Sequence, residues 1–503
     1  MKDDCIRYLT RVTPTSLATG RRAVLRVSAL GFVFVATSCF RSREAKPDMI
    51  AAWVHTWYGA VRVERLSPPV GSRAIAYAAT ALYGGIAAVA TNLPVLDSTL
   101  RGIPSLPRAA NPADHDATLV AVSAERTVLD SLFLEALPTT RAAFARLADS
   151  LVTDRLAHNV SAEMRARSDS LGERIGRAVV TWAQADGFAA TRGRKYPPPE
   201  GVGVWYNDAP ATIYATQNLS GASEYVALDN PANTLNSGNT SDRGLILSRP
   251  KKSTRLPAAN MAGATEPYWH EIRPFVSESW ESCSVAPPMP YSTDTTSEMY
   301  RNARAVHDAQ LALTDEQRTI AYYWADNAGE SGTPSGHWLS IASQMISEQQ
   351  LDAPVAARIV LATAVAQADA FIAAWGYKYR YVVIRPRTYI RRVIDPHWEP
   401  LIPTPPFPEH PAGHSTQSAA AATVLTAFLG QRPFSDSTSI GIGHKVRHFA
   451  SFTDASVEAG LSRVYGGIHF PYGNESGRAL GRCVGSATVR AFHAGIVSRS
   501  ASK

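Results

Sequence analysis

Three separated segments between residues 378 and 469 carry side chains that could together hold a tetrahedral oxyanion. The candidate residues are three cations, two histidines and a glycine: Lys378, Arg385, Gly413, His414, Arg463 and His469. A guanidinium fork matches the oxygens of an oxyanion, and a neutral histidine can coordinate a metal or attack a phosphorus atom. These residue types predict oxyanion chemistry, on condition that the fold brings the three segments together.

The first segment ends a long stretch with helical apolar periodicity. Lys378 and Arg385 lie seven residues apart, which predicts one helix that carries both cations on one face, two turns apart. Trp375 falls on the same stripe, where its ring could form a wall of the charged pocket. We expect Pro386 to stop this helix just after the second cation.

The second and third segments also predict helices beside their functional residues. Residues 415–430 read as a helix with a Ser or Thr cap and a terminal glycine, which places His414 at an N-terminus that favours an anion. Gly413 permits close approach of the backbone to a ligand. Residues 453–463 predict a short helix, and a further helix should begin near Asn474.

The order of the three motifs points to a known group of proteins. K-x6-R-P, P-x-G-H and S-R-x5-H, in this order, resemble the signature shared by vanadium-dependent haloperoxidases and type 2 phosphatidic acid phosphatases. The stretch from Tyr322 to Asp326 and the Pro-rich lead-in around Phe407 also resemble the bacterial haloperoxidase-like branch. The resemblance covers roughly residues 50–500, patchily in the middle.

The chain is expected to be all-α, because helical periodicity recurs and no β-rich half is visible. The resemblance implies a helical bundle of the acid phosphatase/vanadium haloperoxidase type with an additional N-terminal helical lobe. The expected divisions are an export signal, an N-terminal helical lobe, an irregular connecting and covering segment, and a catalytic bundle with the oxyanion site: 1–39, 40–192, 193–296 and 297–503.

The resemblance further implies that vanadate is the cofactor and that hydrogen peroxide and a halide are the substrates. His469 would coordinate the vanadium, and His414 would hydrogen-bond an apical oxygen and shuttle protons. Lys378, Arg385, Arg463 and the N–H of Gly413 would hold the remaining oxygens. Among the neighbours, Trp375 would wall off the pocket, Phe407 would give the apolar wall that a halide prefers, and His410 would either carry protons or line the rim.

Two positions depart from the family pattern. Ala412 stands where the family usually has serine, which removes one hydroxyl contact to the anion. Gly473 stands four positions after His469, where many members carry an aspartate that orients the histidine. The orienting carboxylate must then come from elsewhere, and Asp326 is the candidate. Losing such a contact typically lowers affinity or rate ten- to a hundredfold.

Two other functions are compatible with the same residues. In the first, the pocket hydrolyses a phosphomonoester, with His469 as the nucleophile that forms a phosphohistidine and His414 protonating the leaving group. In the second, an exported protein binds an oxyanion with little or no catalysis, as Ala412 and Gly473 suggest.

Composition narrows the possible partners. Apolar content of 45% and charged content of 18% are ordinary for a globular chain. The formal charge is +7, but the basic residues are dispersed and no nucleic-acid motif is present, so no nucleic-acid partner is expected. Outside the N-terminal region the cysteines are Cys283 and Cys483, and their spacing alone leaves open whether they pair.

The N-terminal region predicts export. Arg21 and Arg22 give it a twin-arginine character, an apolar run covers residues 27–36, and Cys39 ends a segment similar to a lipoprotein cleavage site. The expected location is the periplasm or cell envelope. A lipid on Cys39 would be the only membrane attachment, since no later stretch has 18 uninterrupted apolar residues.

One similar motif is excluded by its position. Pro334-Ser-Gly-His337 matches the second motif by letter, but it precedes Lys378, whereas the family order places it after. We therefore expect His337 to be a packing residue beside Trp338.

Overall fold

The structure is a computed structural model and describes residues 45, 47–91, 93–158, 160–197, 200–207, 216–218, 222–224 and 264–500. The predicted export signal at 1–39, including Cys39, lies outside the described residues.

Helices dominate the N-terminal part of the described chain. They are α1 (Pro47–Val63), α2 (Pro68–Ala87), α3 (Ala117–Leu132), α4 (Pro138–Leu156), α5 (Ala162–Gln184) and the single turn α6 (Phe188–Thr191), with a 3-10 turn at Pro112–Asp114. The side chains of Ser67, Asp116 and Ser161 cap α2, α3 and α5. At Gly172 an added Cβ would lie 2.4 Å from the carbonyl oxygen of Val120, so glycine lets α5 and α3 pack closely.

The middle of the chain is largely irregular where it is described. It contains the short antiparallel pair β1 (Thr216–Asn218) and β2 (Ala222–Glu224) and a 3-10 turn at Trp269–Glu271. The buried carboxylate of Asp369 accepts hydrogen bonds from the backbone N–H groups of Phe275, Val276 and Ser277 at 2.6–2.9 Å. This contact ties the covering segment to the central helix described next.

The C-terminal part forms the bundle. Its elements are α7 (Glu298–Leu311), α8 (Asp315–Tyr323), α9 (Thr333–Glu348), α10 (Ala353–Tyr381), α11 (Pro386–Val393), α12 (Gly413–Leu429), β3 (Phe434–Asp436), a 3-10 turn (Ile440–Ile442), β4 (Arg447–Phe449), α13 (Phe452–Tyr465) and α14 (Pro471–Ser500). β3 and β4 form a small antiparallel pair. The expectation of an all-α fold is confirmed.

Helix α10 is the centre of the packing. It packs against α2 from the N-terminal part and against α12 and α14 from the bundle, and most of its residues are buried. Among the described residues it is the one helix long and apolar enough to cross a membrane, a test that a buried core helix also passes. The division between lobe and bundle stays a prediction.

The expectation that Lys378 and Arg385 share one helix is wrong. α10 ends at Tyr381, and Val382 adopts a left-handed conformation with φ of 49°. Arg385 is the N-cap of α11, and Pro386 occupies its first turn. Proline restricts the preceding residue to extended backbone but fits well at the first helical position, so Pro386 begins a helix instead of ending one.

Cys283 and Cys483 form a disulfide with a Cα–Cα distance of 5.8 Å. The bond joins the covering segment to α14 and settles the pairing that the sequence left open.

Replacing Cys283 and Cys483 together by alanine should lower the free energy of unfolding by about 2–5 kcal/mol, because the bond closes a long loop in the unfolded chain. Chemical denaturation under oxidising conditions measures the difference. A reductant should produce a similar loss in the wild type and none in the double variant. Equal stabilities of the two proteins without reductant would contradict the prediction.

Candidate active site

A cavity opens where α12 begins and α13 ends. Its walls include Gly413 and His414 from the first turn of α12, Arg463 from the last turn of α13 and His469 from the loop before α14. These residues come from two of the three sequence segments. The apolar wall is formed by Phe371, Trp375, Ile402, Pro403, Pro405, Phe407 and Ile468.

Arg385 joins the first segment to the third. Its Nη1 donates to His469 Nε2 at 3.0 Å and to the carbonyl oxygen of Ile468 at 2.8 Å, and its Nε donates to the carbonyl oxygen of Phe407 at 2.7 Å. Arg385 and His469 are both buried. Since a guanidinium only donates hydrogen bonds, Nε2 of His469 must carry a lone pair and the ring proton must lie on Nδ1.

The carboxylate that binds His469 belongs to Glu409. Its Oε1 lies 2.9 Å from His469 Nδ1 and accepts the backbone N–H of Phe470 at 3.0 Å. The expectation that Asp326 fills this role is wrong, because its carboxylate is bonded to His337. Sequence reasoning missed Glu409. The signal available was a carboxylate in the loop leading to the second motif, five positions before His414.

Lys378 is fully buried and does not line the cavity. Its Nζ donates to the carbonyl oxygens of Pro408 and Glu409 at 2.8 and 3.0 Å and lies 5.0 Å from the ring centroid of Phe407. Burial lowers its pKa well below the usual value and Arg385 lowers it further, while Glu409 opposes both. Lys378 therefore holds the loop before α12 and acts on the site from behind its wall.

Arg463 lines the cavity at the end of α13. Its Nε donates to the hydroxyl of Ser462 at 2.9 Å, and its Nη2 donates to the carbonyl oxygen of Trp324. The helix predicted for 453–463 is confirmed, so this guanidinium is carried by a rigid element.

His414 faces the cavity with a buried Nε2 that has no hydrogen-bond partner among the described residues. Burial lowers the pKa of His414 well below its usual value and Arg463 lowers it further, although a hydrogen bond to the backbone of Ala325 acts the other way. The ring is therefore neutral and its proton lies on the nitrogen that faces the carbonyl. The second nitrogen is left to accept a hydrogen bond.

Helix α12 begins differently from the expectation. Its N-cap is Ala412 and gives no side-chain hydrogen bond, so the predicted Ser or Thr cap is wrong. A Cβ added at Gly413 would lie 3.3 Å from Trp375, which is a tight contact. The backbone of the first turn therefore stays close to the aromatic wall, with no cap side chain between it and the cavity.

The pKa of His469 follows from the same surroundings. Burial lowers it well below the usual value, and the charges of Arg385, Lys378 and Arg463 lower it further. A neutral imidazole with a lone pair on Nε2 is the form that can bind a metal or attack an electrophile.

His410 does not meet the expectation that it lines the rim. It is not among the cavity residues, and its Nε2 lies 3.1 Å from the carbonyl oxygen of Ala286. Its ring stacks on Tyr472 with centroids 5.4 Å apart. Burial lowers the pKa of His410 to about 4. The contacts place it between the covering segment and α14, and its role as a proton carrier stays a prediction.

His337 forms a buried ionic cluster beside the site. Its Nδ1 lies 3.0 Å from an oxygen of Asp326, and its Nε2 lies 2.8 Å from Asp436. Burial alone would lower the pKa of His337, but the two carboxylates outweigh it and raise the pKa to about 10. Asp326 also lines the cavity. The expectation of a simple packing residue is therefore incomplete.

Comparison with known proteins finds a matching family and similar solved structures. Residues 358–397 and 393–496 match the family described as VCPO second helical-bundle domain. A crystal structure described as the first bacterial vanadium-dependent iodoperoxidase is 28% identical, with a TM-score of 0.72 over 88% of this chain and 96% of that chain. The C-terminal bundle therefore resembles this family's domain, and the chain resembles the iodoperoxidase structure over most of its length.

Two further solved structures share the fold. Holo-type and apo-type crystal structures of a bacterial vanadium-dependent chloroperoxidase are each 16% identical to the chain, with TM-scores of 0.55. They cover 85% and 84% of this chain and 93% of each chloroperoxidase chain. No curated protein matches the sequence.

Replacing His337 by glutamine should lower the free energy of unfolding by roughly 3–5 kcal/mol, because Asp326 and Asp436 would then be buried without their cation. Urea denaturation of both proteins measures the difference. His448 is exposed and bonded to Ser435, so His448→Gln is the matched control and should change little.

The difference in the free energy of unfolding between the wild type and His337→Gln should depend on pH in a defined direction. The folded pKa of His337 is raised to about 10, so its contribution is complete below about pH 6.5 and is lost as the pH rises through about 10. Burial opposes ionisation of Asp436, but His337 outweighs it and lowers the pKa to about 2, so that contribution is lost as the pH falls from about 4 through about 2. A difference that is constant from pH 3 to 11 would contradict the ionic assignment.

Proposed function

We propose that the protein is a vanadate-dependent haloperoxidase that oxidises a halide with hydrogen peroxide. The observation that carries the proposal is the neutral His469 ring, which presents the lone pair of Nε2 to Arg385 inside a buried site that Lys378 and Arg463 also surround. The similarity to the bacterial iodoperoxidase over most of both chains supports the same activity.

The residues fit vanadate by charge and by chemistry. A metal can bind the imidazole Nε2, and Lys378, Arg385 and Arg463 supply the positive charge that a tetrahedral oxyanion requires. The buried Nε2 of His414 lacks a partner among the described residues and faces the same cavity. A hydroxyl group on the protonated anion would donate a hydrogen bond to it.

Each residue then has a role that follows from its contacts. His469 would ligate the vanadium, and that bond would replace the hydrogen bond that Nε2 now accepts from Arg385. The released guanidinium, Arg463 and the Gly413 N–H would hold the oxygens, while Lys378 would contribute positive charge from behind the cavity wall. When bound, vanadate supplies a Lewis-acidic centre that activates hydrogen peroxide for attack by halide without a change in oxidation state.

His414 would move protons at the cavity. Its proton faces the backbone of Ala325, so Nε2 is the atom that accepts a proton from a hydroxyl group and returns it. Negative charge from a bound oxyanion would raise the low pKa of His414 towards neutrality, where proton exchange is most efficient.

The apolar wall indicates which halides bind. Trp375 and Phe407 line one side of the cavity with ring centroids 4.9 Å apart. The desolvation cost of an ion falls as its radius grows. Iodide and bromide should therefore enter more readily than chloride.

The decisive experiment uses the mature full chain with added orthovanadate. Peroxide-dependent halogenation of a dye should occur with iodide and bromide, and His469→Ala should reduce it by at least about a hundredfold because the ligand of the cofactor is lost. His448→Ala is the control, since this exposed histidine lies on β4 away from the cavity.

The other outcomes discriminate between the remaining functions. Hydrolysis of a phosphomonoester without vanadate, and no halogenation, would favour the phosphatase. Tight binding of vanadate with neither reaction would favour the oxyanion-binding protein. Full halogenation by His469→Ala would refute the role of His469.

We also propose that the protein is exported to the periplasm or cell envelope and carries a lipid on Cys39. The Cys283–Cys483 disulfide supports an oxidising compartment. The full chain should fractionate with membranes, and Cys39→Ser should release it into the soluble envelope fraction. Recovery of the wild type in the cytoplasm with both thiols reduced would overturn the proposal.

A further inference from the structure

A side chain at Gly473 would clash with the side chain of Glu409. A Cβ added there would lie 2.2 Å from Oε1 of Glu409, 2.7 Å from Oε2 and 2.8 Å from Cδ. All three nearest atoms belong to the carboxylate of Glu409. The space that a side chain at residue 473 would enter is therefore already filled by a carboxylate from another segment of the chain.

That carboxylate is held from several directions. Glu409 is 1% exposed, and its Oε1 contacts His469 Nδ1 and the N–H of Phe470. Its backbone N–H donates to the carbonyl oxygen of Val383 at 3.0 Å, and its carbonyl oxygen accepts from Lys378. The backbone of Glu409 is thus held without the histidine, and the N–H of Phe470 gives its carboxylate a contact besides His469.

The same segment is tied to the start of α14. The N–H of Ala412 donates to the carbonyl oxygen of Gly473 at 2.9 Å. The loop that carries Glu409 and the helix turn that carries Gly473 therefore keep a fixed relation. The missing side chain at Gly473 and the carboxylate of Glu409 are therefore structurally linked.

We propose that Glu409 is the positioning residue of His469 and replaces, from the loop before α12, a carboxylate that α14 lacks at Gly473. The proposal rests on the proposed function in that the positioned ring is the vanadate ligand. The Glu409 carboxylate accepts a hydrogen bond from the N–H at Nδ1. This contact keeps the proton on Nδ1, leaves the lone pair on Nε2 and fixes the plane of the ring. Glu409 touches neither the anion nor the substrates in this role.

The geometry makes two carboxylates at this place mutually exclusive. Gly473→Asp in the wild type should clash with Glu409 and disturb the site. In a Glu409→Ala background the space is open, and an aspartate at residue 473 would start from the same side of the ring. The double variant should then recover what the single variant loses.

The test compares wild type, Glu409→Ala, Glu409→Gln, Gly473→Asp and the double variant Glu409→Ala/Gly473→Asp. Isothermal titration with orthovanadate should show ten- to a hundredfold weaker binding for Glu409→Ala, recovery in the double variant and an intermediate value for Glu409→Gln, whose amide oxygen can still accept the Nδ1 proton. Glu281→Ala is the control, because this exposed glutamate pairs with Arg380 at the surface.

A second readout needs no vanadate. Imidazole ¹⁵N chemical shifts of the histidine-labelled protein, assigned with His469→Ala, should show protonation at Nδ1 in the wild type and in the double variant and a mixture of tautomers in Glu409→Ala. A purely structural role for Glu409 would lower the melting temperature without changing the tautomer. If Glu409→Ala does not fold, Glu409→Gln and the wild-type spectrum decide the question.

The outcomes separate this inference from the proposed function. A wild type that binds no orthovanadate but has Nδ1 protonated would refute the cofactor and keep the role of Glu409 in setting the tautomer. Wild-type Nδ1 without a proton, or folded Glu409→Ala with unchanged affinity, would overturn the inference. A folded double variant as weak as Glu409→Ala would show that position 473 cannot supply the carboxylate.

Discussion

The site depends on burying positive charge beside neutral histidines. Backbone carbonyl oxygens accept hydrogen bonds from Lys378, Arg385 and Arg463, so the cations are solvated without a carboxylate for each. This solvation is incomplete for Lys378, whose pKa burial lowers well below its usual value. A bound oxyanion would reverse that effect, because a charge that is costly in the empty site becomes favourable beside an opposite charge.

The histidines in and beside the site differ in charge because different side chains surround them. His337 lies between two carboxylates and stays protonated to about pH 10, whereas burial among cations keeps His414 and His469 neutral. The charge of His337 also lowers the pKa of His414. His337 does not line the cavity and two carboxylates flank it, so its effect on the pKa of His414 is smaller than the effects of burial and of Arg463.

The sequence predicts the parts of the site that depend on local patterns. The helices that carry His414 and Arg463, and the order of the motifs, follow from periodicity, glycine positions and family resemblance. The break between Lys378 and Arg385 could have been read from Pro386, since proline favours the first turn of a helix. The sequence could not show that Glu409, and not Asp326, contacts His469. Both are carboxylates in plausible places, and only the tertiary contacts show that Asp326 binds His337.

The contacts show that the two departures from the family pattern, at Ala412 and Gly473, differ in their effect on the site. Gly473 suggested a weakened site, but the carboxylate of Glu409 fills its space and contacts His469 Nδ1, so that departure no longer favours a protein without catalysis. Ala412 remains a real loss of a hydroxyl group. Its backbone still joins Gly473 and the hydroxyl of Thr416, so the helix start keeps its position. A missing hydroxyl affects the affinity for the anion more directly than it affects the geometry of the two histidines.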